Sequence, residues 1–238
     1  MKKLAVLSGA GVSKESGINT FRDSGGLWEK YPVQQVASIE GWYADRALVL
    51  DFYNARRRDL KDRRPNKAHR LIAGLEKYFQ VTVITQNIDN LHEQAGSTNV
   101  IHLHGEVTKA IGEGEDPTDP SNITDIGYGD IRIGDKSRRG NQLRPFIVWF
   151  GEPVPMIGRA ASVVSECDML LVIGTSLNVY PAAGLVNYIK YGTPLWLIDP
   201  NPIRVDYGNY TQITDVATSG MEKFTEMLLN GGLADGQE

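Results

Sequence analysis

The stretch Val81-Thr82-Val83-Ile84-Thr85-Gln86-Asn87-Ile88-Asp89-Asn90-Leu91-His92 joins an apolar run to a group of polar side chains. The run at 81–84 is rich in β-branched residues, which is typical of a buried strand. An amide, a carboxylate and a histidine follow it directly. In open α/β sheets, ligands bind outside the carboxyl ends of the strands, where loops carry polar groups without disturbing the core. The stretch therefore predicts a functional site at the end of this strand.

A second strand end of the same kind lies at the amino terminus. The apolar run at 3–7 is followed at once by Ser8-Gly9-Ala10-Gly11-Val12-Ser13. Glycines let a backbone approach a phosphate closely, and the free N–H groups of a helix start attract an anion. Because the turn lacks the full G-x-G-x-x-G spacing, it is weak evidence for a nucleotide site when taken alone.

Strand and helix patterns alternate along the rest of the chain. Apolar strand candidates occur at 3–7, 81–84, 146–149, 169–173 and 195–198. Helical patterns fall between or after them, at 45–60, 66–78, 155–166, 182–190 and 220–229. This alternation predicts an α/β fold whose mostly parallel sheet has helices on both faces.

The region 105–142 breaks the alternation, because it is rich in Gly, Asp, Pro and Asn. A loop of this length inside a compact domain is usually functional or forms a small structure of its own. Ile123, Ile126, Ile131 and Ile133 alternate around Tyr128-Gly129-Asp130 and suggest a short hairpin. We interpret the region as a small insertion off the main sheet.

Composition limits the possible functions. With 238 residues, of which 41% are hydrophobic, the chain can bury the core of one medium-sized domain. The net charge of −4 argues against nucleic acid as a specific partner. No apolar run approaches the roughly 20 residues that span a bilayer. Since the start of the chain also lacks the apolar length and cleavage site of a signal peptide, we expect a cytoplasmic protein with no membrane partner.

A single cysteine, Cys167, is present in the sequence. One cysteine excludes an internal disulfide and a zinc site built from several cysteines. Because Cys167 precedes the run Asp168-Met169-Leu170-Leu171-Val172-Ile173, we expect a small residue at the edge of the core and not a nucleophile.

Six sequence blocks occur in the order in which sirtuins carry them, and the chain resembles this family from residue 4 to about residue 220. The blocks are 9–13, 17–22, 85–96, 104–105, 143–152 and 174–183. The resemblance implies a Rossmann-type domain formed by 1–104 and 143–238, with 105–142 as a small inserted domain. A helical excursion at about 25–65 would contribute to that small domain. It also implies an NAD-dependent protein lysine deacylase that releases nicotinamide, free lysine and O-acyl-ADP-ribose.

The resemblance assigns the NAD contacts to five parts of the chain. The pyrophosphate would lie against Gly9, Ala10, Gly11 and Ser13, with Arg22 as a cationic donor and Phe21 as a shield of the reacting ribose against water. Gln86 would reach the ribose hydroxyls. Gly174, Thr175 and Ser176 would approach from the far half of the sheet. Asp199 would bind the adenosine ribose, although sirtuins more often carry asparagine there.

Asn87 and Asp89 stand two residues apart, so in an extended loop both can face the nicotinamide carboxamide. The same pattern also occurs in ordinary turns and helix caps. Four histidines, His69, His92, His102 and His104, compete for the role of general base. His102 and His104 alternate along one strand, so spacing does not choose between them. The pair His104-Gly105, as sirtuins have it, selects His104 as catalytic, together with Asn87 and Asp89.

Tyr53 and Arg56 share one face of the helical pattern at 45–60, because they are three residues apart. A guanidinium beside a phenol is suited to a carboxylate. The pair matches the one by which some sirtuins accept succinyl or malonyl lysine. We therefore expect deacetylase activity and desuccinylase or demalonylase activity. The other interpretation of the two residues is a solvated basic helix face.

The segment around Val148, Phe150, Gly151 and Glu152 could bind an extended substrate peptide by backbone pairing, or could be a buried sheet strand.

Most sirtuins carry four zinc-binding cysteines between the positions of Gly105 and Leu143, and this chain has none there. We therefore predict a small domain without metal. Three other functions remain open: an NAD glycohydrolase or ADP-ribosyltransferase, a non-catalytic NAD or ADP-ribose sensor, and, more distantly, a hydride-transferring dehydrogenase.

Overall fold

The structure is a computed structural model and describes residues 1–18 and 31–230. Phe21 and Arg22, two expected NAD contacts, lie outside the described residues. A six-stranded sheet has the order β3-β2-β1-β7-β8-β9, and every neighbouring pair in it is parallel. Its strands are β1 (Lys3–Ser8), β2 (Gln80–Thr85), β3 (Val100–His102), β7 (Met169–Ile173), β8 (Leu195–Ile198) and β9 (Tyr210–Ile213).

The direction of strand addition reverses beside β1. From β1 the sheet grows through β2 and β3 on one side and through β7, β8 and β9 on the other. Ser8 at the end of β1 is in register with both Thr85 and Ile173. The loops after β1, β2 and β7 therefore leave the sheet at one edge, which is where α/β proteins bind ligands.

Helices cover both faces of this sheet, because its strands alternate their side chains between two apolar clusters. Leu4 and Val6 pack with the helices Lys67–Gly74 and Ala217–Asn230, whereas Ala5 and Leu7 pack with the helix Ile157–Glu166 on the other face. The helices of the described part are α1 (Gly11–Lys14), α2 (Val33–Val36), α3 (Ile39–Ala44), α4 (Arg46–Leu60), α5 (Lys67–Gly74), α6 (Leu91–Gln94), α7 (Ile157–Glu166) and α8 (Ala217–Asn230). Short 3-10 helices lie at Leu75–Lys77, Pro120–Asn122 and Ala182–Tyr188. The predicted fold class is confirmed.

Within residues 1–18 and 31–230, no helix combines the length and the apolar character needed to cross a membrane.

A second, three-stranded antiparallel sheet has the order β5-β4-β6, with β4 (Gly105–Gly112), β5 (Ile123–Asp125) and β6 (Leu143–Ile147). It shares a third apolar cluster with α2, α3 and α4. The prediction that 146–149 joins the parallel sheet is wrong, since β6 ends at Ile147 and pairs with β4. A β-branched run is equally suited to either sheet, so composition could not name its partner.

The predicted isoleucine hairpin is also wrong. Ile123 belongs to β5 and pairs with Ile111, and Ile133 is 59% exposed. Ile131 is buried because Asn54 of α4 binds its backbone in both directions, with its Nδ2 2.9 Å from the carbonyl oxygen and its Oδ1 3.0 Å from the N–H. An amide side chain thus takes the place of a pairing strand.

Arg57 of α4 holds the same loop. It is fully buried and donates to the carbonyl oxygens of Gly129 (2.8 Å) and Val107 (3.2 Å) and to Asn54. Burial lowers the pKa of Arg57 to about 10. A buried guanidinium needs such acceptors because leaving it unpaired would cost several kcal/mol, of the order of 3–5.

Cys167 follows α7 and is buried. Its thiol lies 3.1 Å from the carbonyl oxygen of Val164, and burial raises its pKa to about 11. Such a thiol is protonated at neutral pH, as expected for a structural cysteine.

Candidate active site

The turns after β1 and β7 are bonded to each other. The N–H of Gly9 donates to Ile173 (3.0 Å) and that of Gly11 to Gly174 (2.8 Å). A Cβ on Gly9 would lie 2.6 Å from the Cβ of Thr175, a distance that side chains cannot adopt. Glycine is required here because two backbones approach each other closely.

The end of β2 is tied to the same place. Gln86 donates its backbone N–H to Ser8 (2.9 Å) and its side-chain Nε2 to the hydroxyl of Thr175 (3.1 Å). The expected NAD-contacting residues Gly9, Gln86 and Thr175 are therefore brought together by the structure.

Most backbone N–H groups of the 9–13 turn are already engaged. Those of Gly9, Gly11, Val12 and Ser13 donate to carbonyl oxygens of the protein. Within the described part of the chain, the Ala10 N–H has no such partner. If this turn receives a phosphate, Ala10 is the backbone donor it offers.

Asn87 and Asp89 converge on Ser13. The Asn87 Nδ2 donates to the Ser13 hydroxyl (3.2 Å) and to the carbonyl oxygen of Gly9 (3.1 Å). The Ser13 hydroxyl donates to Oδ2 of Asp89 at 3.0 Å, and Oδ1 of Asp89 accepts the N–H of Leu91 at 3.1 Å. Burial raises the pKa of Asp89, and these hydrogen bonds oppose the shift. An amide and a carboxyl group are thus fixed side by side.

His69 completes the network behind Ser13. Its Nε2 lies 3.4 Å from the Ser13 hydroxyl, which gives its proton to Asp89, so Nε2 is the donor in this contact. Its Nδ1 then accepts the N–H of Asn66 at 3.3 Å. Burial lowers the pKa of His69 to about 4, so the ring is neutral at pH 7 and acts as a support.

His104 has the arrangement of a base. Its Nδ1 lies 2.9 Å from the carbonyl oxygen of Gln86, which can only accept, so Nδ1 carries the proton and Nε2 the lone pair. Among the described residues nothing is hydrogen-bonded to that Nε2. Burial lowers the pKa of His104 and keeps the ring neutral.

None of the other histidines offers an accessible lone pair of this kind; the Nδ1 of His92 has no hydrogen-bond partner in the described part of the chain, but it is buried. His102 has acceptors at both nitrogens, the Asn87 carbonyl oxygen at 3.1 Å and Glu93 Oε1 at 2.7 Å. His92 is buried with Nε2 2.9 Å from the Ser8 hydroxyl, and burial lowers its pKa to about 3. The geometry therefore separates His104 from His102, which the sequence spacing did not.

Gly105 explains why a glycine follows His104. Its φ is +77°, and a Cβ would lie 2.1 Å from the carbonyl oxygen of Phe146. Only glycine permits this approach between β4 and β6. The small sheet therefore begins directly beside the candidate base.

Tyr53 and Arg56 project from α4 near the same region. The phenol oxygen of Tyr53 is buried and accepts the indole N–H of Trp149 at 2.9 Å, which leaves its own O–H as a donor. Burial raises the pKa of Tyr53 to about 12 and keeps it protonated. The Arg56 guanidinium lies 5.9 Å from the Phe52 ring centre; burial lowers its pKa, while Tyr53 and Asp89 raise it.

The segment 148–152 lies between His104 and α3. The Val148 N–H donates to the His104 carbonyl oxygen (3.0 Å), and Phe150 exchanges backbone hydrogen bonds with Ala37 and Ile39. Phe150 is therefore already paired, although its side chain is 47% exposed. Gly151 follows with φ +90°.

Glu152 binds Arg144 through both carboxylate oxygens, at 2.6 and 2.8 Å, and accepts the Trp149 N–H. The Glu152 carboxylate therefore holds the backbone of the 148–152 segment in place.

Ser176 and Asp199 stand apart from this network. Asp199 follows β8 and accepts the backbone N–H of Asn201 at 2.9 Å, and Ser176 accepts from the Asn178 side chain at 3.2 Å. Neither contacts Asn87 or Asp89 in the hydrogen bonds of the described residues.

The supporting roles of three neighbours of the site, His69, Arg144 and Trp149, were not predicted from the sequence. The capping pattern Asn66-x-x-His69 was readable and would have placed His69 at a buried helix start. The contacts of Arg144 and Trp149 depend on the fold of β6 and had no local signal.

The described side chains of the small domain do not form a zinc-binding donor set. Within residues 1–18 and 31–230 there is no group of three or more His, Cys, Asp or Glu side chains that could hold a metal ion. The Glu115 carboxylate instead accepts from Ser137 and from Asn141. These residues do not fit a structural zinc ion.

The fold and the site define a Rossmann-type nucleotide-binding enzyme. Its site lies at the switch point of a parallel sheet, and a second sheet begins beside the candidate base.

A model of the Sir2 family matches residues 9–181. An NAD-dependent protein deacylase of Bacteroides thetaiotaomicron is 52% identical over 232 residues, which cover 96% of this chain and 99% of that protein. Another, from Helicobacter pylori strain J99, is 50% identical over 84% of this chain and 83% of its own length. A solved complex of a mutant Sir2 homologue with ADP-ribose has a TM-score of 0.85 at 34% identity, with 100% of this chain and 95% of that chain covered. The chain belongs to the Sir2 family.

Proposed function

We propose that this protein is an NAD-dependent protein lysine deacylase that yields nicotinamide, free lysine and O-acyl-ADP-ribose. The observation that carries the proposal is the neutral His104, with Nδ1 fixed by Gln86 and Nε2 open, beside the Asn87 and Asp89 pair. Two relatives, which match 96% and 84% of this chain, carry the name NAD-dependent protein deacylase. A Sir2 homologue of similar fold was solved with NAD.

The residues at the sheet edge fit NAD. The turn of Gly9, Ala10, Gly11 and Ser13 would lie against the pyrophosphate, with the Ala10 N–H as its backbone donor, and Arg22 and Phe21 would contribute from the chain that follows. Gln86, Gly174, Thr175, Ser176 and Asp199 would hold the ribose and adenosine parts. When bound, NAD supplies a ribose carbon whose cationic nicotinamide group can leave and be replaced by the acyl oxygen.

Asn87 and Asp89 would bind the nicotinamide carboxamide. The Asn87 Nδ2 is committed to Gly9 and Ser13, so its Oδ1 remains to accept from an amide N–H. Fixed groups of this kind accelerate a reaction by holding the reacting atoms in place, an effect that reaches about 7–11 kcal/mol in favourable cases.

His104 would take the proton of a ribose hydroxyl at Nε2. Its Nδ1–H bond to Gln86 prevents the ring from turning and fixes the reactive tautomer. Because the ring is neutral at pH 7, it is ready to accept a proton.

Tyr53 and Arg56 would recognise the acyl group. The protonated phenol and the guanidinium are both donors, and a succinyl or malonyl carboxylate would accept from both. An acetyl group has no carboxylate and would make no such contact, but its carbonyl oxygen is the same nucleophile. We therefore propose activity on both classes.

The substrate backbone would lie along Val148, Phe150, Gly151 and Glu152. Since Phe150 already pairs with Ala37 and Ile39, the peptide would use the remaining backbone groups of this segment. The Tyr53–Trp149 hydrogen bond links that segment to the acyl end of the site.

Two further points belong to the same proposal. The chain is divided into a large domain, 1–104 with 143–238, and a small inserted domain, 105–142, and the small domain holds no metal ion. The side chains of Asn54 and Arg57 support it, because they attach the 126–133 loop to α4 without a metal ion.

Mass spectrometry of the purified protein with NAD and matched acetyl-, malonyl- and succinyl-lysine peptides tests the proposal. We expect nicotinamide and O-acyl-ADP-ribose only when a peptide is present. Nicotinamide release without peptide would instead identify a glycohydrolase, and NAD binding without turnover would identify a sensor.

A further inference from the structure

His102 holds a backbone atom of the proposed nicotinamide-binding loop. Its Nδ1 lies 3.1 Å from the carbonyl oxygen of Asn87, and its Nε2 lies 2.7 Å from Oε1 of Glu93. A carbonyl and a carboxylate both accept, so each ring nitrogen must carry a proton to make both bonds. The geometry thus calls for an imidazolium at position 102.

The charges around the ring favour that cation. Glu93 of α6 and Glu106 of β4 raise the pKa of His102 and outweigh the burial that lowers it. Asp89 and His92 also interact electrostatically with the ring, and His92 adds no charge at pH 7 because burial lowers its pKa to about 3. The Glu93 carboxylate is in turn stabilised, because the His102 hydrogen bond lowers its pKa despite burial.

Asn87 is restrained at every polar group except one. Its N–H donates to the Thr85 hydroxyl (3.0 Å), its Nδ2 to Gly9 and Ser13, and its carbonyl oxygen accepts from His102. Among described residues, only its Oδ1 makes no hydrogen bond. The restraints therefore fix the direction in which the Asn87 Oδ1 points.

We propose that His102, held as an imidazolium by Glu93, is a positioning residue that orients Asn87 toward the nicotinamide carboxamide. The inference rests on the proposed function, and it gives the second histidine of the strand a role distinct from that of His104. His104 presents a free nitrogen to the reaction, whereas His102 uses both nitrogens to hold the loop.

Two isosteric substitutions separate the two bonds. The side-chain nitrogen of Asn overlies Nδ1 of His, and that of Gln overlies Nε2. His102→Asn keeps the donor to Asn87, and His102→Gln keeps only the donor to Glu93. We expect the Kd for NAD, measured by calorimetry without peptide at pH 7, to remain near the wild-type value in His102→Asn and to rise about tenfold in His102→Gln.

The pH dependence gives a second readout. A neutral imidazole has one N–H for two acceptors, so NAD binding by the wild-type protein should weaken at alkaline pH as His102 loses its proton. His102→Asn should lack this change, and Glu93→Gln should move it to lower pH. Glu106→Gln is the matched control, because its parent carboxylate binds Lys109 and acts on His102 only through its charge. It should bind NAD at pH 7 as tightly as the wild type and move the pH dependence less than Glu93→Gln does.

Equal Kd values for His102→Asn, His102→Gln and wild type would overturn the proposal. Equal weakening in both variants with matching losses of Tm would also overturn it, because the role would then be structural. A kcat in His102→Asn as low as that of His104→Ala would make His102 a base and contradict it. If the wild type binds NAD with this pattern yet deacylates no peptide, the positioning role stands and the proposed function fails.

Discussion

The two ends of the proposed substrate path are built differently. At the nicotinamide end, Asn87, Asp89 and Ser13 form a network with His69 that draws on β1, β2, α1 and α5. At the acyl end, Tyr53 and Arg56 come from one helix, and Tyr53 is attached to the 148–152 segment by one hydrogen bond. A change at the first end should damage every reaction of the enzyme, whereas a change at the second should alter which acyl group is accepted.

The largest effect is expected at His104. His104→Ala removes the proposed base, so kcat should fall about a thousandfold on acetyl and succinyl peptides alike. The Kd for NAD should change little, because Asn87 and Asp89 remain. Single-turnover kinetics with calorimetry would measure both quantities, and near-normal turnover would show that another group is the base.

Arg56→Met should reduce activity on peptides with acidic acyl groups and spare activity on acetyl peptides. Loss of a charged hydrogen bond predicts a fall of about 10- to 100-fold in kcat/KM for succinyl and malonyl peptides. Acetyl peptide should be nearly unaffected, and Tyr53→Phe should show the same selectivity in weaker form. Paired peptide assays would measure the ratio; an equal loss on acetyl peptide would remove the carboxylate role and the contrast between the two ends.

The nicotinamide end should also set the stability in mild acid. His69 and His92 have folded-state pKa values of about 4 and about 3, below the 6.5 of a free histidine. The unfolded state therefore binds more protons as the pH falls from 6.5, and each histidine should reduce the free energy of unfolding by about 1.4 kcal/mol per pH unit.

Urea unfolding between pH 5 and 7 would measure this loss. His69→Gln keeps the donor to Ser13 but does not titrate, so its stability should decline less steeply. Tyr53→Phe, a change at the acyl end, should retain the wild-type slope. A His69→Gln slope equal to that of the wild type would show that His69 is not held neutral.

The smallest effect is expected from metal removal. Because Asn54 and Arg57 attach the small sheet's loop to α4, treatment with a strong chelator should leave Tm and activity unchanged. Elemental analysis should find zinc far below one ion per chain. Stoichiometric zinc, or a Tm lowered by chelation, would contradict a metal-free small domain.

The sequence predicted the parallel sheet because its strands are continuous apolar runs buried on both faces, a pattern that needs no partner to be recognised. It also placed Asn87, Asp89 and His104 at strand ends that the structure brings to one edge. Strand β3 was recognised only through the alternation of His102 and His104, and β4 and β9 were not identified as strands, because they are short or interrupted by polar residues.

The small sheet could not be read in the same way. Its 126–133 loop is fixed by Asn54 and Arg57. Asn54 precedes its partner Ile131 by 77 residues, and Arg57 precedes its partner Gly129 by 72. The partner of β6 likewise depended on the close approach of Gly105 and Phe146. Contacts between distant polar side chains and backbone leave no local periodicity in the sequence.

The buried thiol of Cys167 makes this protein convenient for spectroscopic labelling. With one cysteine in the chain, 5% exposed and with a pKa of about 11, maleimide reagents at neutral pH have no reactive thiolate to modify. Cysteines introduced at the exposed positions of Ile133 and Tyr191 would therefore accept fluorophores selectively in the otherwise native chain. Energy transfer between them would report the distance between the small sheet and the large one as NAD and acyl peptide are added.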